Sequence, residues 1–150
     1  MKLSILILVI SLASALAQGP TPTPAAAPTP EADLSVRSRA LELAGAFSND
    51  GYKIRDGYWP GELEPNKPAF LEVNLFAGNE YWFSAAAALP ARKIAVAVFD
   101  EKGNPVDFQV YEDGQAAAAG FIPDVSGRYF VRILLLEGEK SQFCLLYSYK

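Results

Sequence analysis

The apolar positions of this chain fall into short runs with a period of two, separated by clusters of Gly, Pro, Asn and Asp. Repetition of that pattern predicts β-strands joined by turns. The clearest run lies between Arg128 and Leu136, where only Arg128 and Arg132 interrupt aromatic and branched apolar residues. Pro123, Asp124, Ser126 and Gly127 precede it and are turn formers, so the segment reads as a tight corner feeding a long strand. Alternation places Tyr129, Val131, Ile133 and Leu135 on one face, and Arg128, Phe130, Arg132, Leu134 and Leu136 on the other. Both faces carry apolar side chains, which predicts a central strand.

The other strand-like runs are 52–58, 69–76, 80–87, 93–100, 106–112, 116–122 and 141–149. Pro60-Gly61 closes the first, and Ala77-Gly78-Asn79, Leu89-Pro90, Lys102-Gly103-Asn104-Pro105 and Asp113-Gly114 punctuate the rest. Ala85 to Ala88 favour a helix by propensity, but four residues before Pro90 are too few to propagate one. The fold class that follows is all-β: an antiparallel jelly-roll-like β-sandwich of about eight strands, with tandem hairpins making up most of it.

One segment departs from the period of two. Over 33–48, Val36, Ala40, Leu43, Ala44 and Phe47 share about a third of a helical circumference, Asp33 can cap, and Asn49-Asp50-Gly51 stops the run. This predicts one amphipathic helix whose stability comes from packing, because Gly45 weakens it by about 1 kcal/mol relative to alanine. The runs at 93–100, 128–136 and 141–149 are apolar on both faces, so an outer sheet face shared by them is expected to be covered by this helix.

Residues 1–17 have the parts of a cleaved secretory signal: Lys2, an apolar core from Leu3 to Leu12, and Ala15-Leu16-Ala17. The core is shorter than the roughly 20 residues of a spanning helix, so a secreted or periplasmic protein without stable membrane insertion is expected. Residues 18–32 are rich in Pro, Thr and Ala and read as an extended linker of about 3 Å per residue. The β-domain then occupies 52–150.

Composition narrows the chemistry. The chain of 150 residues carries 13 basic and 17 acidic side chains, a net charge of −4, with no basic run. That is not the footprint of a nucleic-acid binder. It has no histidine, which removes the commonest base near neutral pH, and one cysteine, Cys144, so no internal disulfide can form. Cys144 sits mid-strand among apolar residues and is expected to be buried and inert.

Gly61-Glu62-Leu63, the segment Ala77-Gly78-Asn79-Glu80-Tyr81-Trp82-Phe83, the turn Asp100-Glu101-Lys102-Gly103-Asn104-Pro105-Val106, and Phe121 to Ile133 together resemble the bacterial pre-peptidase C-terminal (PPC) domain family. The resemblance covers roughly 58–149. It implies a small jelly-roll-like sandwich and a non-catalytic accessory role in secretion, localisation or binding to proteins and polysaccharides. Some members carry calcium, so the resemblance raises a hard-oxygen site at Asp100, Glu101 or Asp113. The chain lacks an Asp-x-Asp-x-Asp-Gly loop, and solvated turn acids with no metal or cofactor are expected.

Three functional readings compete. The leading one is a secreted, non-enzymatic binding or accessory module of the bacterial envelope or exterior, taking a protein or polysaccharide ligand, with Tyr58, Trp59 and Trp82 as ligand-contact aromatics. The second is a small hydrolase using a carboxylate pair drawn from Asp100, Glu101, Asp107, Glu112, Asp113 and Asp124. The third is a structural envelope protein that pairs with itself through an apolar outer face.

Overall fold

The computed structural model describes residues 30–150. The signal segment expected over 1–17, and all of the linker but its last three residues, lie outside these. The described chain runs as helix α1 (Pro30–Ala46), a 3-10 turn (Ser48–Asp50), then nine strands. These are β1 (Lys53–Ile54), β2 (Trp59–Leu63), β3 (Ala69–Leu75), β4 (Tyr81–Ala87), β5 (Ala91–Phe99), β6 (Gln109–Asp113), β7 (Ala116–Phe121), β8 (Gly127–Gly138) and β9 (Ser141–Tyr149).

The strands form two antiparallel sheets. The larger has the order β1-β9-β4-β7-β6, with β2 also paired to β9, and the smaller has the order β3-β8-β5. Successive strands mostly change sheets, which is the jelly-roll arrangement. The expected tandem hairpins are therefore corrected: from β2 onward, only β6 and β7 are consecutive strands that pair with one another. A short turn is compatible with pairing across it or with crossing to the opposite sheet, and local residues do not distinguish the two.

β8 is central, as its two apolar faces predict, and Tyr129, Val131, Ile133 and Leu135 are the buried set. The corner before it is pinned by Tyr129, whose hydroxyl donates to the carbonyl of Val125 at 2.7 Å, and by Ser126, whose Oγ accepts from the Ala77 amide at 2.8 Å. Between the sheets the core is built around Phe83, Leu63, Leu75, Ile94, Ile133 and Leu145, all fully buried.

β2 was not anticipated. Pro60-Gly61 was expected to turn the chain, yet both lie inside a strand paired to β9. Proline is tolerated there because an edge strand leaves one row of amides unpaired. Gly61 is required by packing, since a Cβ at that position would sit 2.5 Å from the Phe143 ring. The first expected run, 52–58, contributes only the two residues of β1.

The helix begins at Pro30 rather than Asp33, so Asp33 lies in the first turn and is not the cap. Proline suits the opening turn, where its missing N–H has no intrahelical partner, and Glu31 and Asp33 there oppose the helix dipole favourably. The helix packs on the outer face of the larger sheet: Val36, Ala40 and Ala44 are buried against Ala86, Cys144 and Leu146. Leu43 is half-buried, and Phe47 stacks on Trp82 at 4.2 Å with the rings 8° from parallel. Arg39, off this stripe, reaches the Ala87 carbonyl at 3.4 Å and Gln115 Oε1 at 2.5 Å.

The expectation that the helix covers a face shared by β5, β8 and β9 needs correction. β9 belongs to the larger sheet and β5 and β8 to the smaller, so only β9 is covered. The outer face of the smaller sheet stays open, with Phe70 60% exposed and the Arg132 guanidinium lying 4.8 Å from the centre of the Phe99 ring.

Two carboxylates tie loops and termini. Glu80 accepts from the Tyr52 hydroxyl at 2.7 Å and from Lys150 Nζ at 3.1 Å, and the Tyr52 bond, the larger cause, holds its carboxyl below the usual range. Asp100 is held below that range chiefly by the Asn104 amide, which donates to its Oδ1 at 2.8 Å. A depressed carboxyl stabilises the fold above its unfolded pKa, and that contribution disappears as pH falls through the folded value. Denaturant unfolding followed from about pH 5 downward, through the ordinary carboxylate value of about 4 and below it, is expected to lose stability less steeply in the Glu80→Gln/Asp100→Asn variant. An unchanged acid limb would contradict this.

Candidate functional site

The sandwich opens along one side, between the β2 end of the larger sheet and β3, an edge strand of the smaller. A cleft of about 660 Å³ lies there, within the range usual for ligand pockets. Trp59, Tyr81, Tyr147, Tyr149 and Phe76 line it with Arg55, Asn74, Asn79 and Glu72. The alternation of β9 makes this wall: Tyr147 and Tyr149 continue the inward-facing series of Phe143 and Leu145 past the end of the aliphatic core. Register then sets Tyr81 opposite Tyr149, and Trp59 opposite Leu145.

The rings form one connected group. Trp59 lies stacked with Tyr147 at 5.6 Å and 12°, and Tyr81 meets Tyr147 edge-on at 6.1 Å. Tyr81 and Tyr147 are only 4% exposed, whereas Tyr149 is 38% and Phe76 64% exposed. The cleft thus has a buried phenolic floor and an accessible aromatic rim. The Tyr81 hydroxyl accepts from the Phe76 amide at 3.0 Å and Asn79 Nδ2 at 3.1 Å. The Tyr147 hydroxyl accepts from Arg55 Nη1, and the Arg55 amide donates to the Tyr147 carbonyl at 3.0 Å, which anchors the arginine along β9.

The three aromatics singled out in the sequence are dispersed. Trp59 is half-buried on the cleft wall. Trp82 is on the opposite side of the larger sheet, pressed between Phe47 and Gly120, where a Cβ would approach its ring to 2.7 Å. Tyr58 lies beside α1, with the Arg37 guanidinium 4.3 Å from its ring centre. A one-residue step between Tyr58 and Trp59 thus sends the two side chains to different faces. Sequence reading missed Tyr147, Tyr149 and Arg55 as partners of Trp59. The period of two from Phe143 onward was the available signal, but the pairing with β2 that completes the wall is long-range.

Among the described residues the acidic candidates form no metal site. Asp100 accepts three bonds within its own turn, from the Lys102 and Asn104 amides and Asn104 Nδ2. Glu101 pairs with Arg128 at 2.8 Å, and Asp113 ends the exposed edge strand β6. Asp100, Asp107 and Asp124 border a second, open depression, yet among the described residues no group of three or more acidic, His or Cys side chains is placed to hold a metal ion. These residues do not fit the calcium site that the PPC resemblance raised. Cys144 is fully buried, and burial pushes its thiol up to about 11, so it has almost no thiolate near neutral pH.

A two-sheet antiparallel sandwich with an aromatic cleft at its open side is the class of protein that fold and site define. Neither a protein-family model nor a curated protein matches the chain.

Proposed function

We propose that this protein is an exported, non-catalytic binding module whose cleft takes a polysaccharide. The observation that carries the reading is the accessible aromatic rim of Trp59, Tyr149 and Phe76 beside the amides of Asn74 and Asn79. Sugar rings present a face of C–H groups that packs on aromatic rings and an edge of hydroxyls that pairs with side-chain amides. The PPC resemblance and the signal-like residues 1–17 support an accessory role outside the cytoplasm, and among the described residues no helix is long and apolar enough to cross a membrane.

Affinity electrophoresis through gels containing neutral or acidic polysaccharides tests the reading. The native protein is expected to be retarded in at least one of them. Trp59→Ala is expected to weaken that retardation by about thirtyfold, equivalent to about 2 kcal/mol for a central aromatic anchor. Trp82→Phe, altered on the far side of the sheet, is expected to leave it unchanged. Equal effects of the two substitutions would remove the cleft from the account. Release of reducing ends during incubation with the same polymers would overturn the non-catalytic part.

A further inference from the structure

We infer that the cleft reads a carboxylate, so that its ligand is a uronate-bearing glycan; this rests on the polysaccharide reading above. The hydroxyls of Tyr81 and Tyr147 both accept bonds, from Phe76 and Asn79 in one case and from Arg55 in the other. Neither gives its own proton to a described residue, and both side chains line the cleft. A phenol has one proton to donate, and both hydroxyls border the open cleft, so these protons are available to an acceptor on a ligand seated there.

Arg55 adds further donors. Its guanidinium is the only cation lining the cleft and forms no ion pair among the described residues. Tyr147 occupies one of its N–H groups, leaving others in a planar fork suited to a carboxylate. Glu72, the only acid lining the same cleft, is an exposed residue of β3 with Arg128 3.9 Å away. Arg55 is itself exposed, so its free N–H groups face the cleft mouth above the phenols, and the rings at the rim suit a saccharide face. A hexuronate joins the two requirements: an anionic group for Arg55 and the phenols, and a pyranose ring for Trp59 and Tyr149. An acidic peptide satisfies the first requirement, but it has no pyranose face to set on the rim.

Calorimetric titration of the native protein with oligomers of galacturonate, mannuronate and glucuronate, each beside its carboxyl-reduced counterpart, tests this. At least one uronate oligomer is expected to bind more tightly than its reduced form. Arg55→Met is expected to weaken that binding roughly ten- to a hundredfold, as loss of a charge-assisted bond does, and to leave the reduced oligomer within about twofold. Equal affinity for acidic and reduced oligomers, or equal loss of both in the variant, would overturn the carboxylate inference while the polysaccharide reading stood. Absence of binding by every saccharide would overturn both. Arg55-dependent capture of poly-glutamate without saccharide binding would assign the cleft to acidic polypeptides instead.

Discussion

Replacing Phe83 by alanine is expected to cost about 3–5 kcal/mol of folding stability, the range for truncating a fully buried aromatic. Phe83 is 0% exposed, stacks with Tyr81 at 6.3 Å and meets Tyr147 at 5.5 Å, so its removal opens a cavity where the core joins the cleft floor. Against a total of about 5–15 kcal/mol for an ordinary domain, that loss is large enough to unfold a considerable fraction of the protein on warming. Val110→Ala on the edge strand β6 is the control: its side chain is 59% exposed, and a change within about 0.5 kcal/mol is expected. Denaturant titration of both variants checks the difference. A loss below about 1 kcal/mol for Phe83→Ala would mean that the core does not close around this ring.

Gly138→Ala is expected to destabilise by about 3 kcal/mol or more, although it adds a single methyl group. Gly138 ends β8 at a φ of +115°, where an L side chain is strained. The added Cβ would also lie 2.5 Å from the Pro90 carbonyl oxygen and 2.8 Å from Ala91 Cα, both backbone atoms that cannot swing aside. Here β5 pairs with β8 through a register shift between Ala91 and Lys93, so the clash falls where the smaller sheet begins. Gly103→Ala isolates the conformational part. Gly103 has a φ of +82° with nothing within 4 Å of its added Cβ, and about 1–2 kcal/mol is expected. Equal costs for the two glycines in thermal and denaturant unfolding would show that β5 yields to the methyl group.

Trp82 shows why a site is harder to read than a fold. In the sequence it stands between Tyr81 and Phe83 with no mark of which face is wet. Alternation separates it from both, but whether the far face meets solvent, a ligand or another element depends on α1, whose Phe47 lies 35 residues earlier and covers it at 4.2 Å. Trp59 was legible as an aromatic near an edge, yet its neighbours Tyr147 and Arg55 come from a strand far along the chain and from the segment before it. Residue type indicated candidates for binding, and long-range pairing chose among them.

Runs of alanine make the same point about strands. Ala85 to Ala87 in β4 and Ala116 to Ala119 in β7 are poor strand formers by propensity. In β4 they are buried on both faces, with Ala85 and Ala87 in the core between the sheets and Ala86 beneath Ala40 and Ala44 of the helix. Small side chains let three layers approach closely, and burial outweighs the fraction of a kcal/mol that propensity opposes.

By itself the sequence determined most of the strands other than β2, the alternation of faces along them, the corner before β8, and a helix that must bury Val36, Ala40 and Ala44. All of these follow from side-chain period and turn chemistry, which act over a few residues. Only the tertiary structure decided which strands share a sheet, which outer face the helix covers, and that Trp59, Tyr81, Tyr147 and Arg55 surround one cleft. Those outcomes depend on hydrogen bonds and contacts between segments as far apart as Val36 and Leu146, where the gain comes from fitting whole surfaces and no local pattern encodes the partner.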